Sequence, residues 1–214
     1  FKLMENASKF WIQLLVYPKE FFKSHVLENK LKYFNFAIVV FCLGYGIDRL
    51  EKQLVKFEIR GILDKLEFIN TWTGFWLVSL AIGAIGGYIL YLIGGWFYNV
   101  RVKWSAGEGN LEKSRALYLY SNFFISLFII LDSLIETIIY PIPYDPYSYL
   151  QSFEIIAIPL LLFFIFHSIY ISYAGVTTIT DVKKGRAIIW FLVLPILVYL
   201  VVYIALISIL YSYF

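Results

Sequence analysis

The chain has little of what metal centres and disulfide-built domains are made from. It holds one cysteine, Cys42, and two histidines, His25 and His167. A lone thiol excludes an internal disulfide framework and a cysteine-cluster metal site. Cys42 lies in an apolar stretch and reads as a small buried hydrophobe. Charge is also scarce: 15% of residues are charged, against about 25% in ordinary soluble domains. The net charge of +3 is too small to argue for a nucleic-acid partner. The polar N-terminal region has no unbroken apolar core, so no cleavable signal peptide is evident. "GEGN", residues 107–110, lacks both the spacing and the following Lys-Ser/Thr of a phosphate loop and reads as a turn.

What is abundant is apolar. Hydrophobic residues make up 61% of the chain, aromatics 21%, and mean hydropathy is +0.75. Several runs exceed the roughly 18 residues that argue for a spanning helix. The expected fold is all-α: a polytopic membrane bundle of about five transmembrane helices, with one or two interfacial amphipathic helices. A cytoplasmic amphipathic segment, 1–32, precedes a membrane domain, 33–214. The spans are expected near 33–47, 74–98, 116–140, 153–176 and 187–214. The first is short and should extend into its polar flanks.

Charge sets the expected orientation. With the N-terminus in the cytoplasm, thirteen of the eighteen lysines and arginines fall inside and five outside, as the positive-inside rule favours. The C-terminus then lies outside. Tryptophans 72, 76, 96, 104 and 190 fall near span ends, and Tyr140, Tyr144, Tyr147 and Tyr149 gather in one outer loop. Rings with one polar atom belong at headgroup depth.

Two stretches are expected to lie along the membrane. "SKFWIQLLVYPKEFF" places Phe10, Trp11, Leu14 and Leu15 on one helical face before Pro18 breaks the helix. The segment from 48 to 70 continues a stripe of Ile47, Leu50, Leu54 and Phe57, then Ile62, Leu66 and Ile69, with Gly61 a candidate bend. It reads first as an interfacial helix, and alternatively as a cap packed over the bundle.

"GGWFYNVRVKWSAGEGNLEKSRALYLYSNFF", residues 94–124, resembles the central segment of the Yip1 domain family: a glycine-rich helix end, a short Gly-containing cytoplasmic loop and a polar helix start. "WIQLLVYPKEFFKSH" resembles the family's opening, and "HSIYISYAGVTTITDVKKGRAIIWFLVLPILV" its closing unit. The resemblance covers nearly the whole chain and implies five spans with a cytoplasmic N-terminus. Eukaryotic members carry an Asp-Leu-Tyr-Gly-Pro signature and a Gly-Tyr-x-x-x-Pro signature. Neither is present: the third span reads "LYSNFF" around Ser121 and Asn122. The Rab-type GTPase binding of those members is therefore not carried over. The resemblance is to the prokaryotic type, which implies a cytoplasmic (inner) membrane location.

Candidate functional residues are few. Asp132 and Glu136 stand one turn apart near the outer end of the third span, and Glu154 opens the fourth. Carboxylates are costly in hydrocarbon. They form either a cation or proton site opening outward, or a hydrogen-bonded cluster tying two spans together. His167 lies deeper and reads as a bonded core histidine before a relay. No metal-ligand spacing is found, and no cofactor is expected. Gly83 and Gly87 form a GxxxG pair beside Gly86, with Gly94 and Gly95 beyond; small residues let helix backbones approach, within one chain or between copies. Pro159 and Pro195 interrupt the last two spans, and no inverted repeat supports a secondary transporter. Arg101, Lys103, Lys113, Arg115, Lys183, Lys184 and Arg186 form a basic cytoplasmic face that sets orientation or contacts a partner or anionic lipid. The expected function is a non-enzymatic scaffold or adaptor for a membrane partner or self-association. The alternative is a small ion or solute channel or transporter using the outer carboxylates.

Overall fold

The computed structural model describes residues 2–28, 31, 33–145 and 152–201. The far end of the fifth expected span, 202–214, and the loop holding Tyr147 and Tyr149 lie outside the described residues. All regular structure among the described residues is helical.

Helix α1, Lys2–Val16, stops where Pro18 follows. The proline ring pushes its predecessor out of helical geometry, and Tyr17 sits at φ −126°, ψ 58°. Helix α2, Pro18–Phe21, runs on in π-helical turns, Phe22–Leu27.

Helix α3, Phe34–Ile59, joins two stretches that the sequence reading separates. Its first half is the short apolar run; its second half carries Asp48, Glu51, Lys52 and Glu58 without a break. Gly61 (φ 63°) ends it. Its N–H bonds the Glu58 carbonyl at 2.8 Å, and the next N–H, of Ile62, bonds that of Phe57 at 3.0 Å. This is a Schellman cap, which needs a left-handed residue at that position.

A 3-10 segment, Leu63–Asn70, leads to Thr71, whose Oγ1 accepts the Gly74 N–H at 3.1 Å and caps the next helix. Helix α4, Trp72–Trp104, has a π-helical turn at Gly83–Gly87. Helix α5, Leu111–Ile139, starts at Asn110, whose Oδ1 accepts the Lys113 N–H at 3.0 Å. Helix α6, Ser152–Ile179, contains Pro159, and α7, Lys184–Val201, has π turns at Ile189–Val193. Among the described residues, the four helices α4 to α7 are long and apolar enough to cross a membrane; for α6 the stretch is Ala157–Ile179. The charged second half of α3 keeps that helix out of this group, although its first half is the apolar run of the first expected span.

The chain packs as two compact units. One comprises Tyr33–Gly94 and Tyr118–Ile165. Its core joins Ile47, Leu50, Leu54, Leu63 and Phe75. The apolar stripe that continues through 48–70 is thus turned onto α4. Glycines bring α4 against α3: a Cβ on Gly87 would lie 2.7 Å from the Cys42 Cα, and one on Gly86 would lie 2.9 Å from the Tyr45 ring.

The other unit comprises Phe1–Lys32, Gly95–Leu117 and Phe166–Phe214. Phe10, Leu14, Phe21, Phe22 and Val26 turn inward, with Phe10 and Phe21 in edge contact at 4.8 Å. Phe22 and Leu117 both pack against Gly175, and the Tyr98 hydroxyl meets Ser172 Oγ at 2.7 Å. The Lys183 N–H donates to the Ser105 carbonyl at 2.9 Å, closing the ends of α4 and α7 together.

Candidate functional site

The polar residues of α5 near its C-terminal end diverge around the helix. Ser133 is buried, and its Oγ donates to Glu51 Oε1 at 2.9 Å. Asp132, the preceding residue, lines a cavity of about 160 Å³ with Phe128, Ala157, Ile158 and Leu161. The cavity is mostly apolar and lies opposite the turn of α6 that holds Pro159.

Glu51 lies in the charged half of α3, outside the candidate spans. Burial pushes its carboxyl up to about 8. The Ser133 hydroxyl opposes the rise, and the charges of Glu136, Asp48 and Asp132 add to it. Asp48 is itself bridged by Lys52 at 2.5 Å. Glu51 is the carboxylate that the sequence reading did not single out. The signal was present: it stands four residues after Ile47 and three before Leu54, on the apolar stripe. The side chain of Glu154 lies outside the described residues.

Further along α5, the start of α4 is clamped to it and to the chain that follows. Trp76 Nε1 donates to Thr137 Oγ1 at 3.2 Å, and Trp72 Nε1 donates to the Tyr140 carbonyl at 2.8 Å. Asn70 bonds Tyr144 in both directions, from its Nδ2 to the carbonyl at 2.9 Å and from the Tyr144 N–H to its Oδ1 at 3.0 Å. Indoles at this end of two apolar helices suit headgroup depth, where one edge is wet and the other is not.

In the other unit, His167 Nε2 lies 2.9 Å from the Leu15 carbonyl. A carbonyl only accepts, so Nε2 carries the proton, and the bond joins α1 to α6. Arg101, which the sequence reading places on the basic cytoplasmic face, is buried. Its Nε donates to the Trp190 carbonyl at 2.9 Å, and its Nη2 bonds the same oxygen. The guanidinium sits over Phe191 at 4.2 Å and Tyr98 at 4.7 Å. A π-helical turn at Ile189–Val193 carries the accepting residue, and such turns disturb the regular carbonyl ladder. Lys103, Lys183, Lys184 and Arg186 are exposed, while Lys113 and Arg115 are half-buried. A Cβ on Gly94 would strike the Tyr118 ring, and one on Gly95 the Arg115 side chain.

Among the described residues, no group of three or more His, Cys, Asp and Glu side chains is placed to hold a metal ion. Glu51, His167 and Arg101 each tie one helix to another.

A family model described as Yip1 domain matches residues 12–207. No curated protein and no solved structure matches the chain.

Proposed function

The chain belongs to the Yip1 domain family and is an integral membrane protein, and from that premise we propose that it acts as a non-enzymatic scaffold or adaptor. One observation carries this reading. Three polar contacts join helix to helix: Glu51 to Ser133, His167 to the Leu15 carbonyl, and Arg101 to the Trp190 carbonyl. Groups committed in this way hold a shape, and a shape with exposed basic side chains can be recognised. Lys103, Lys183, Lys184 and Arg186, with Lys113 and Arg115 beside them, form the face that a membrane-protein partner or a second copy would meet. That face is cytoplasmic, with the N-terminus on the same side and the C-terminus outside, in a prokaryotic cytoplasmic membrane. The charge asymmetry of the loops supports this orientation.

Purification in mild detergent, with sizing and mass spectrometry of co-purifying proteins, tests the proposal. A stoichiometric partner or a defined homo-oligomer is expected. A monomer with no partner would overturn the adaptor reading.

Transport is a second reading, favoured by the cavity against Asp132. It expects cation flux in proteoliposomes that Asp132→Asn abolishes; flux equal to that of empty liposomes would remove it.

A further inference from the structure

The N-terminal helices leave an outward face that the adaptor reading does not use. On α1, Phe10 and Leu14 turn inward. The opposite side presents Ile12 and Val16, one turn apart and 56% and 52% exposed, followed by Tyr17 at 58%. On α2 and its π-helical continuation, Pro18, Phe21, Phe22 and Val26 are buried. Lys19, Lys23 and Leu27, at four-residue spacing, are exposed. Two connected helices therefore show bulky apolar groups and two ammonium groups on their outer side.

The position of this pair narrows what covers it. His167 holds the Leu15 carbonyl, and Gly175 receives Phe22. The pair thus packs along α6 within its candidate span, Ala157–Ile179. His167 lies twelve residues before Ile179, or about 18 Å up the helix. Leu15 thus packs at acyl-chain depth, and Phe22, against Gly175 four residues before Ile179 or about 6 Å up, packs near the headgroup–acyl boundary. Charge gives the sign of the headgroups. Residues 1–32 hold six lysines against three glutamates, and Glu20 and Glu28, both exposed, leave the excess positive. The same unit exposes Lys103, Lys183, Lys184 and Arg186.

We propose that residues 8–28 form an anionic-lipid-binding surface within one leaflet of the protein's own bilayer. Ile12, Val16, Tyr17 and Leu27 enter the acyl region, and Lys19 and Lys23 reach the lipid phosphates. Long lysine stems can lie along apolar surface while the ammonium stays among the headgroups. An acidic protein would satisfy the lysines but would leave the outward aliphatic groups unmatched, whereas an anionic leaflet matches both.

The full chain is reconstituted in nanodiscs of phosphatidylcholine, with or without phosphatidylglycerol. An Ile12→Cys, Cys42→Ser variant carries bimane at position 12. Quenching by acyl-chain doxyl lipid and protection from iodide are expected, both increasing with phosphatidylglycerol. Lys19→Glu with Lys23→Glu removes that increase. Native mass spectrometry of the otherwise unmodified chain repeats the test without the label. A loss of bound phosphatidylglycerol of about fivefold per lysine is expected.

A bimane open to iodide and insensitive to doxyl lipid overturns the proposal. So does equal phosphatidylglycerol binding by the charge-reversed and unaltered proteins, or shielding of position 12 by a co-purified protein instead of lipid. None of these outcomes depends on whether the adaptor reading stands.

Discussion

Ser133 Oγ donates to Glu51 Oε1 at 2.9 Å across 82 residues of sequence, joining the polar ends of α3 and α5. The bond places a carboxyl with a raised proton affinity between two helices, and this has a consequence for pH. Burial raises the folded-state value to about 8, against an ordinary 4.5. The folded state therefore holds the proton more tightly than the unfolded chain. The stabilisation is complete below the unfolded value, declines as pH rises between the two, and is gone above the folded one. Thermal melting of the detergent-solubilised protein from pH 5 to about 9 should show this decline. Glu51→Gln, which resembles the protonated carboxyl, should flatten it. An equal pH slope in the variant would remove Glu51 as its source.

Ser133→Ala removes the donor and leaves a buried carboxyl less satisfied. A loss of about 1–3 kcal/mol is expected, measurable as a lower melting temperature. Glu51→Gln combined with Ser133→Ala should lose less than the sum of the single changes, because the two groups share one bond.

Gly87→Val should separate α4 from α3, since even a Cβ would lie 2.7 Å from the Cys42 Cα. Overpacking of this kind costs roughly 1–3 kcal/mol. Gly185→Ala, where nothing lies within 4 Å of the added atom, should leave the melting temperature within a degree or so of the parent on steric grounds. Equal losses at the two positions would show that close approach is not what Gly87 provides.

Arg101→Lys keeps the charge but loses the planar group that bonds the Trp190 carbonyl twice and lies over Phe191. Arginine and lysine are not equivalent at such a site. A loss of about 1.5–3 kcal/mol is expected, together with faster hydrogen exchange around 189–193. Unchanged exchange there would separate Arg101 from the π-helical turn.

Ala106 occupies φ 60° just beyond α4. The Gly107 N–H bonds the Val102 carbonyl and the Ala106 N–H that of Lys103. This cap has the geometry that glycine completes after α3, but here a Cβ is forced into the left-handed region. Ala106→Gly should stabilise the protein by about 1 kcal/mol. A decrease in melting temperature would mean that the alanine methyl is needed for packing.

How much of this was legible differs from residue to residue. The apolar runs and Pro18 as a break follow from local rules about hydropathy and backbone geometry, whereas Gly61 read only as a bend and the structure makes it the end of α3. Arg101 was legible as a charge near a span end, but not as a buried one. Its position in sequence says nothing about Phe191 and Tyr98 closing over it. Glu51 was hidden by its neighbours, since it stands among Asp48, Arg49 and Lys52. Only its register against Ile47 and Leu54 marks it as facing inward.

The sequence by itself determined that this is a helical membrane protein, because the length and hydropathy of a span are set by residues next to one another. The break at Pro18 is local in the same sense. The tertiary structure decided which polar groups meet. A helix carries its side chains all the way round, and its azimuth is chosen by packing against other helices. That choice turned Ser133 to Glu51 and Asp132 to the cavity beside Pro159. It also turned Ile12 and Val16 outward, where the sequence alone had favoured the face of Phe10 and Leu14.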